Sequence, residues 1–331
     1  MENNKQIDFL AIGDIVTDVF IKIKDAEVTC DIDHAHCKLC VRFGEKIPFE
    51  SAEEIRAVGN SANAAVSASK LGLTSALLAN VGNDTHGHAC IEELKKNNVD
   101  TTYVGIHDGF ATNYHYVLWY GVERTILVNH EHFPTKLPNF ATPPKMIYLT
   151  SLGEGTNAYH DEIISYVENT PSIKLVFQPG TFQINMGTEK LARIYKSTYL
   201  FFCNVEEAQK ILNKPNGKIK ELIAGLHTLG AKLVCITDGP KGAYGSDGTT
   251  TWFMPIYPQE PIERTGAGDA FASTVSSALL LGKSFEEALS WGPINSMSVV
   301  QEVGAQRGLL TKEKLEDYLA KAPEDYKISI I

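Results

Sequence analysis

Short apolar runs closed by glycine or polar turns, each followed by a helical stretch, recur along this 331-residue chain. Residues 8–12 (Asp-Phe-Leu-Ala-Ile) are the first, ending at Gly13-Asp14, and predict a buried strand and a turn. Residues 61–71 are rich in Ala and Ser with no breaker, which predicts a helix stopped by Gly72. Residues 75–81, 145–149, 174–177, 199–203 and 233–237 predict further strands of the same kind. Strands that alternate with helices imply an α/β fold in three layers, α/β/α, around a mostly parallel sheet covered on both faces. With no internal repeat and no linker, residues 1–331 read as a single domain. Ligands of such sheets gather at the carboxyl ends of the strands. Gly13-Asp14, Gly82-Asn83-Asp84, Gln178-Pro179-Gly180, Asn204 and Asp238-Gly239 all fall at those ends.

Two segments break the rhythm. Residues 16–24 and 113–128 alternate like strands, the second folding back around Gly121-Val122-Glu123-Arg124. With residues 40–48 they predict a small antiparallel sheet apart from the α/β body, a lid built from residues 16–50 and 111–130. Tyr114, Tyr116, Leu118 and Tyr120 would share one face of it, an apolar row too large to leave wet. That row is expected to cover a ligand, a second subunit or both, so a homodimer through the lid is expected.

Composition narrows the function. Hydrophobic residues make up 44% and charged residues 21%, as in ordinary globular proteins. The net charge of −10 and the lack of a basic block exclude a nucleic-acid partner. No apolar run approaches the roughly 18 residues that span a bilayer, and the polar start is no signal peptide, so a cytoplasmic protein is expected with no membrane partner. Of six cysteines, Cys90, Cys203 and Cys235 lie in apolar surroundings and read as buried thiols. Cys30, Cys37 and Cys40 cluster, and the C-x2-C spacing of the last two would let zinc bind them together with His34 or His36. The other reading of this segment is a polar loop that happens to carry cysteines.

The most chemical stretch is Thr265-Gly266-Ala267-Gly268-Asp269, a glycine turn running into an apolar, small-residue helix. Glycines let backbone N–H groups converge, and the helix N-terminus adds the positive end of its dipole. Asp269, on the first turn, is placed to take a proton from a group approaching that anion site. Such a turn suits phosphoryl transfer, with Gly266, Ala267 and Gly268 as anion hole. An ordinary helix N-terminus is the alternative.

Four motifs in order resemble the ribokinase-like (PfkB) carbohydrate kinase family, which includes sugar and nucleoside kinases. Val58-Gly59-Asn60-Ser61-Ala62-Asn63 with Leu71-Gly72 and Val81-Gly82 looks like its first signature, and Asn204-Val205-Glu206-Glu207 looks like its N-x-x-E motif. Thr237-Asp238-Gly239-Pro240-Lys241-Gly242 is similar to its T-x-G-x-x-G nucleotide loop, and residues 264–269 to its second signature. The resemblance implies ATP as donor, Mg²⁺ held by Glu207 and Asn204 through water, and Asp269 as base. It places Asp14, Asp18, Gly59 and Asn63 on substrate hydroxyls, and Thr237, Gly239 and Gly242 along adenine and ribose. Asn295 and Ser298 would join the nucleotide side or simply pack. Arg124, on the lid hairpin, would reach substrate or phosphate, or stay an exposed charge. Asn204 and Glu207 also form a capping box in their own right.

Three departures stand out. Val58 replaces a glycine of the first signature, Glu263 and Arg264 stand where Asp and Thr are common, and the Cys30 to Cys40 insertion lies outside the pattern. A monovalent cation on backbone carbonyls near Glu263 and residues 303–308 is a further cofactor the resemblance allows. With only Arg56 near the first signature, the acceptor reads as a neutral sugar or nucleoside rather than a phosphosugar. A catalytically inactive sugar-binding regulator would share the fold, but it has no use for a base at Asp269. A dinucleotide-dependent oxidoreductase would carry G-x-G-x-x-G after the first strand, where this chain has Gly13-Asp14-Ile15-Val16.

Overall fold

Strand β1 (Phe9–Ile12) shows how the chain forms its layers: Phe9 and Ala11 enter one hydrophobic core, Leu10 and Ile12 the other. A strand apolar at every position can be buried on both faces, and alternation sends successive side chains to opposite layers. The computed structural model describes residues 6–31, 37–121 and 123–331.

After β1 come β2 (Val16–Ile23), the hairpin of β3 (Glu27–Cys30) and β4 (Cys37–Cys40), and β5 (Phe49–Val58). Helix α1 (Asn60–Lys70) leads to β6 (Ser75–Gly82), α2 (Thr85–Lys96) and β7 (Val104–His107). A second hairpin joins β8 (Tyr114–Tyr120) to β9 (Glu123–Leu127). Strands and helices then alternate through β10 (Met146–Leu149), α3 (Asn157–Glu168), β11 (Lys174–Phe177), α4 (Thr181–Met186) and α5 (Ala192–Ser197). They continue through β12 (Thr198–Asn204), α6 (Val205–Ile211), α7 (Ile219–Leu229) and β13 (Leu233–Thr237). The remainder is β14 (Ala243–Ser246), β15 (Thr251–Met254), α8 (Ala267–Leu280), α9 (Phe285–Val299), α10 (Lys312–Ala320) and β16 (Ser329–Ile330).

The main sheet has ten strands in the order β16-β15-β14-β13-β12-β11-β10-β1-β6-β7. From β13 to β7 all neighbours are parallel, while β14, β15 and β16 add an antiparallel edge. Helices α1, α2, α8, α9 and α10 cover one face, and α3, α5, α6 and α7 the other. The three-layer α/β/α expectation holds. Because β1 lies between β6 and β10, the chain winds outward from it in both directions, and the crevice at that switch is where such sheets bind ligands.

The small sheet is β5-β2-β8-β9, with antiparallel pairs at both edges and a parallel pair, β2 with β8, in the middle. Val16, Phe20, Ile55, Val58 and Val117 form its own small core. Residues 40–48 do not join it: β4 pairs with β3 as a separate two-stranded ribbon, and β5 supplies the lid strand instead.

The zinc expectation is corrected here. Ribbon register sets Cys30 opposite Cys37, and the two sulfurs are joined as a disulfide, so they are not thiolates for a metal. Cys40, three residues beyond Cys37 on the same strand, projects from the other face by strand alternation and is an exposed free thiol. His34 and His36 lie outside the described residues. Among the described residues no group of three His, Cys, Asp or Glu side chains could hold a metal. No helix among them is long and apolar enough to cross a membrane.

Candidate active site

Helices α1 and α8 are built from small residues, and both are buried along most of their length. Ala and Ser side chains let the two backbones approach closely, and that approach puts Asn63 of α1 beside Asp269 of α8. Asn63 Nδ2 donates to Asp269 Oδ2 at 2.8 Å, and Gln178 Nε2, just past β11, donates to Oδ1 at 3.2 Å. Asn63 is itself fixed, because its Oδ1 accepts from Gln306 Nε2 at 2.9 Å. The Tyr148 hydroxyl donates to Gln178 Oε1. Asp269 is thus aimed by a chain of amides, with only 8% of its surface exposed. Burial pushes its pKa up, against the lowering pull of the two amide donors and of the Arg124 charge. A carboxylate made more basic by its surroundings is suited to accept a proton.

Ahead of Asp269 the glycines do different jobs. Gly266 has φ 80°, and a Cβ there would stand 2.4 Å from the Ala305 Cβ, so only glycine makes this turn. At Gly268 a Cβ would meet no described atom within 4 Å: the backbone faces open space. No side chain among the described residues caps α8, so its first-turn N–H groups face that space with the positive end of the helix dipole. This is a cradle that fits an anion.

The cradle forms one wall of a cavity of about 340 Å³. Around it stand Asp18, Gly59, Asn60, Asn63, His115, Arg124, Gln178, Asn204, Glu207, Thr237 and residues 264–269. Most of the residues expected from the motifs therefore meet in one place. Gly59 (φ 101°) is required for close approach, since a Cβ would come within 2.9 Å of the Asp14 carbonyl. Asn204 and Glu207 make the full reciprocal capping box, each side chain accepting the other's backbone N–H at 2.8 Å. Glu207 nonetheless lines the cavity, and burial, with the like charge of Asp269 adding, raises its pKa. A few protein ligands beside an anion cradle form a donor set that fits Mg²⁺, which keeps most of its water.

Some of the expected residues lie outside the cavity lining. Asn295 is fully buried, its Nδ2 donating to Thr274 Oγ1 at 2.7 Å and its Oδ1 accepting from the Leu310 N–H at 2.9 Å. Both ends are used in tying α8, α9 and residue 310 together, which is the packing alternative for Asn295. Thr237 lines the cavity, and Gly239 and Gly242 lie in the turn beside it, outside its lining. A Cβ on Gly242 would strike the Met254 carbonyl at 2.5 Å. The tyrosine row is turned away: His115 points into the cavity, so Tyr114 and Tyr116 face out, Tyr116 with 45% exposed.

Two histidines were not legible beforehand. His115 Nδ1 lies 3.3 Å from Asp18 Oδ1, and His130 Nδ1 lies 3.3 Å from Asp14 Oδ2. The two rings stack with centroids 5.0 Å apart. Among the described residues, Asp14 Oδ2, Asp18 Oδ1 and His115 Nε2 are buried without a hydrogen-bond partner. Buried acceptors in that state call for donors from outside the protein. Neither histidine belongs to a motif, and only the fold brings them to the two aspartates.

The sequence pattern described as pfkB family carbohydrate kinase matches residues 27–312. Bacillus subtilis ribokinase is 30% identical over 268 residues, covering 79% of this chain and 87% of the relative. Arabidopsis thaliana ribokinase, solved with ribose and ATP, superposes with a TM-score of 0.78 at 19% identity, covering 95% of this chain and 99% of that one. A Methanocaldococcus jannaschii nucleoside kinase of the ribokinase family gives 0.76 at 20% identity, covering 96% and 99%. With the ribokinase fold around a glycine-led anion cradle, and a family pattern spanning most of its length, this chain belongs to the PfkB family of carbohydrate kinases.

Proposed function

We propose that this protein transfers the γ-phosphoryl group of ATP to a hydroxyl of a sugar, free or as the ribose of a nucleoside. One observation carries the reading: a buried carboxylate, Asp269, held by two amide donors on the first turn of an uncapped, glycine-led helix. A binding protein has no use for a base in that position. ATP with Mg²⁺ supplies the phosphoryl group and the metal that offsets its charge. Asp269 takes the proton of the acceptor hydroxyl as its oxygen bonds to phosphorus and ADP leaves. The N–H groups at Gly266, Ala267 and Gly268, with the α8 dipole, receive the charge on the phosphoryl oxygens. Glu207 and Asn204 hold the metal side, and Thr237 borders the nucleotide.

The acceptor end consists of Asp14, Asp18, Gly59 and Asn63, joined by His115. Its carboxylate oxygens, each near a histidine but without a hydrogen bond among the described residues, favour a ligand rich in hydroxyl donors. Among the described residues, the phenyl rings on the cavity wall are Phe202 and Phe271, both buried in the core layer under α8, so none of these rings stands exposed to stack on a base. A polyol is therefore favoured as the reacting part. The outward tyrosine row suits the pairing of two lids in a homodimer.

ADP release should be followed over a panel of sugars, nucleosides and sugar phosphates with ATP and Mg²⁺. The reading predicts release that needs both acceptor and metal, and that falls at least about a hundredfold in Asp269→Asn. Release with no acceptor in the panel exceeding background, or a mutant keeping half the turnover, would sink it.

A further inference from the structure

Strand register brings the two histidines that belong to no motif to the acceptor end. In the parallel pair of β2 and β8, Asp18 lies opposite His115, so both side chains leave the same face of the small sheet. Asn113, two residues before His115, clasps two further segments. Its Nδ2 donates to the Ile15 carbonyl at 3.3 Å, and its Oδ1 accepts from the Glu131 N–H at 2.8 Å. The clasp sets His130, next to Glu131, beside Asp14, next to Ile15. The four side chains form a row of Asp18, His115, His130 and Asp14 with the imidazoles stacked in the middle. Phe182 meets the His130 ring at a steep angle, with centroids 6.2 Å apart. The His115 ring is thus held by a carboxylate at one nitrogen and by a second ring on its face.

A neutral imidazole carries its proton on one nitrogen and a lone pair on the other. A lone pair on His115 Nδ1 would face the Asp18 carboxylate oxygen at 3.3 Å and repel it, so the proton belongs on Nδ1 and the lone pair on Nε2. His115 lines the cavity, and its Nε2 is buried and, among the described residues, without a hydrogen-bond partner. Asp18 Oδ1 and Asp14 Oδ2 are in the same state, so this stretch of wall offers only lone pairs. Charge points the same way. The other charged side chains on the cavity wall are Arg124, Glu207, Arg264 and Asp269. Both arginines stand against carboxylates of their own, Arg124 Nη1 3.6 Å from Glu263 Oε1 and Arg264 Nη1 3.2 Å from Glu123 Oε1. A carboxylate or phosphate placed beside Asp18 would meet like charge.

Resting on the kinase reading, we infer that His115 is a specificity-determining residue for the acceptor: its Nε2 lone pair, beside the Asp18 carboxylate, takes a hydroxyl of a neutral sugar and turns away an acceptor with an anionic group at that place. A site built to bond a hydroxyl discriminates strongly against an analogue that lacks it, because the buried partner is then left unpaired. His115 forms no covalent bond and moves no proton in the transfer. It selects which molecule reaches Asp269.

The first measurement needs no acceptor. In protein carrying isotope-labelled histidine at about pH 8, long-range proton–nitrogen NMR spectra report which ring nitrogen is protonated, and the His115→Gln variant identifies the signals. His115 should carry its proton on Nδ1; a proton on Nε2 would overturn the inference. The second is ADP release with ATP and Mg²⁺ over D-ribose, D-fructose, adenosine, cytidine, D-gluconate and ribose 5-phosphate. Turnover should be confined to the neutral members. With the best of them, His115→Phe, which keeps a ring to stack on His130, should raise acceptor KM at least about tenfold, the scale of a buried polar group left unpaired. ATP KM should stay within about twofold and kcat within about threefold, and the ATP value doubles as proof that the variant is folded. His115→Gln, whose amide oxygen can stand near the place of Nε2, should fall between wild type and His115→Phe. An acceptor KM within about twofold of wild type in His115→Phe, acceptor and ATP KM rising together, or an anionic member as the best acceptor would overturn the assignment and leave the kinase reading in place. Should no member of the panel elicit ADP release, the kinase reading falls, and this inference with it.

Discussion

Gly266 and Gly268 are two residues apart, and the structure assigns them opposite sensitivities to the same change. Gly266→Ala forces a Cβ into the left-handed region, 2.4 Å from the Ala305 Cβ. Conformation costs about 1–2 kcal/mol and overpacking about 1–3 more, so a loss of roughly 2–5 kcal/mol is expected. Gly268→Ala meets no described atom within 4 Å and lies inside α8 with no positive φ. There alanine should stabilise by about 0.5–1 kcal/mol, through helix propensity and a less mobile unfolded chain. For a protein of this size that raises Tm by about 1 °C. The new methyl group fills the space the cradle keeps open, so kcat/KM should fall about 100- to 1,000-fold, the scale of removing an anion-hole donor. Thermal melts and acceptor-dependent ADP release on the same preparations give both numbers. A Gly268→Ala protein with raised Tm and kcat/KM within about threefold of wild type would show that the phosphoryl group does not sit over Gly268.

Three further outcomes are expected. Because the base works deprotonated and its pKa is raised, kcat/KM should be full above that pKa and fall as pH drops through it, at a pH above the ordinary aspartate range; a profile flat down to that ordinary range would count against Asp269. Asn295→Ala removes two buried hydrogen bonds and strands the Leu310 N–H, so unfolding in urea should show a loss of about 2–4 kcal/mol while nucleotide KM holds, and a selective rise in KM would restore the nucleotide role. Thiol titration in denaturant should find the four free thiols Cys40, Cys90, Cys203 and Cys235 before reduction and all six cysteines after it, with Cys40 alone reacting fast in the native protein; six before reduction would rule out the Cys30–Cys37 bond.

The sheet and its ligand end were legible because buried parallel strands must be apolar throughout and must end where the chain turns. β1, β6, β10, β11, β12 and β13 each fall within a residue or two of a run readable in the sequence. β5 was not legible. Its sequence, FESAEEIRAV, is mostly exposed until Ile55, and an edge strand of a half-wet sheet carries no continuous apolar signal. The C-x2-C spacing misled because a hairpin register, and not linear distance, decides which cysteines meet. Asn295 stayed open because a polar side chain in a buried helix reads the same whether it serves a ligand or a neighbouring helix. Glu263 was visible as a departure from the family pattern, but its partner lay more than a hundred residues away on the lid, and local sequence holds no trace of that pairing.

The amide chain that aims Asp269 has a consequence for how the protein comes into being. Asn63 and Asp269 are 206 residues apart, and Gln306, which steadies Asn63, lies 243 residues from it. During synthesis, Asp14, Asp18 and Asn63 emerge long before α8 exists, so the growing chain holds them with neither the glycine cradle nor Asp269. Contacts of such long range form late and together, because closing large loops is compensated only once the packed interface is complete. The arrangement around Asp269 is therefore completed only when α8 packs on α1, and it is undone when the two helices part.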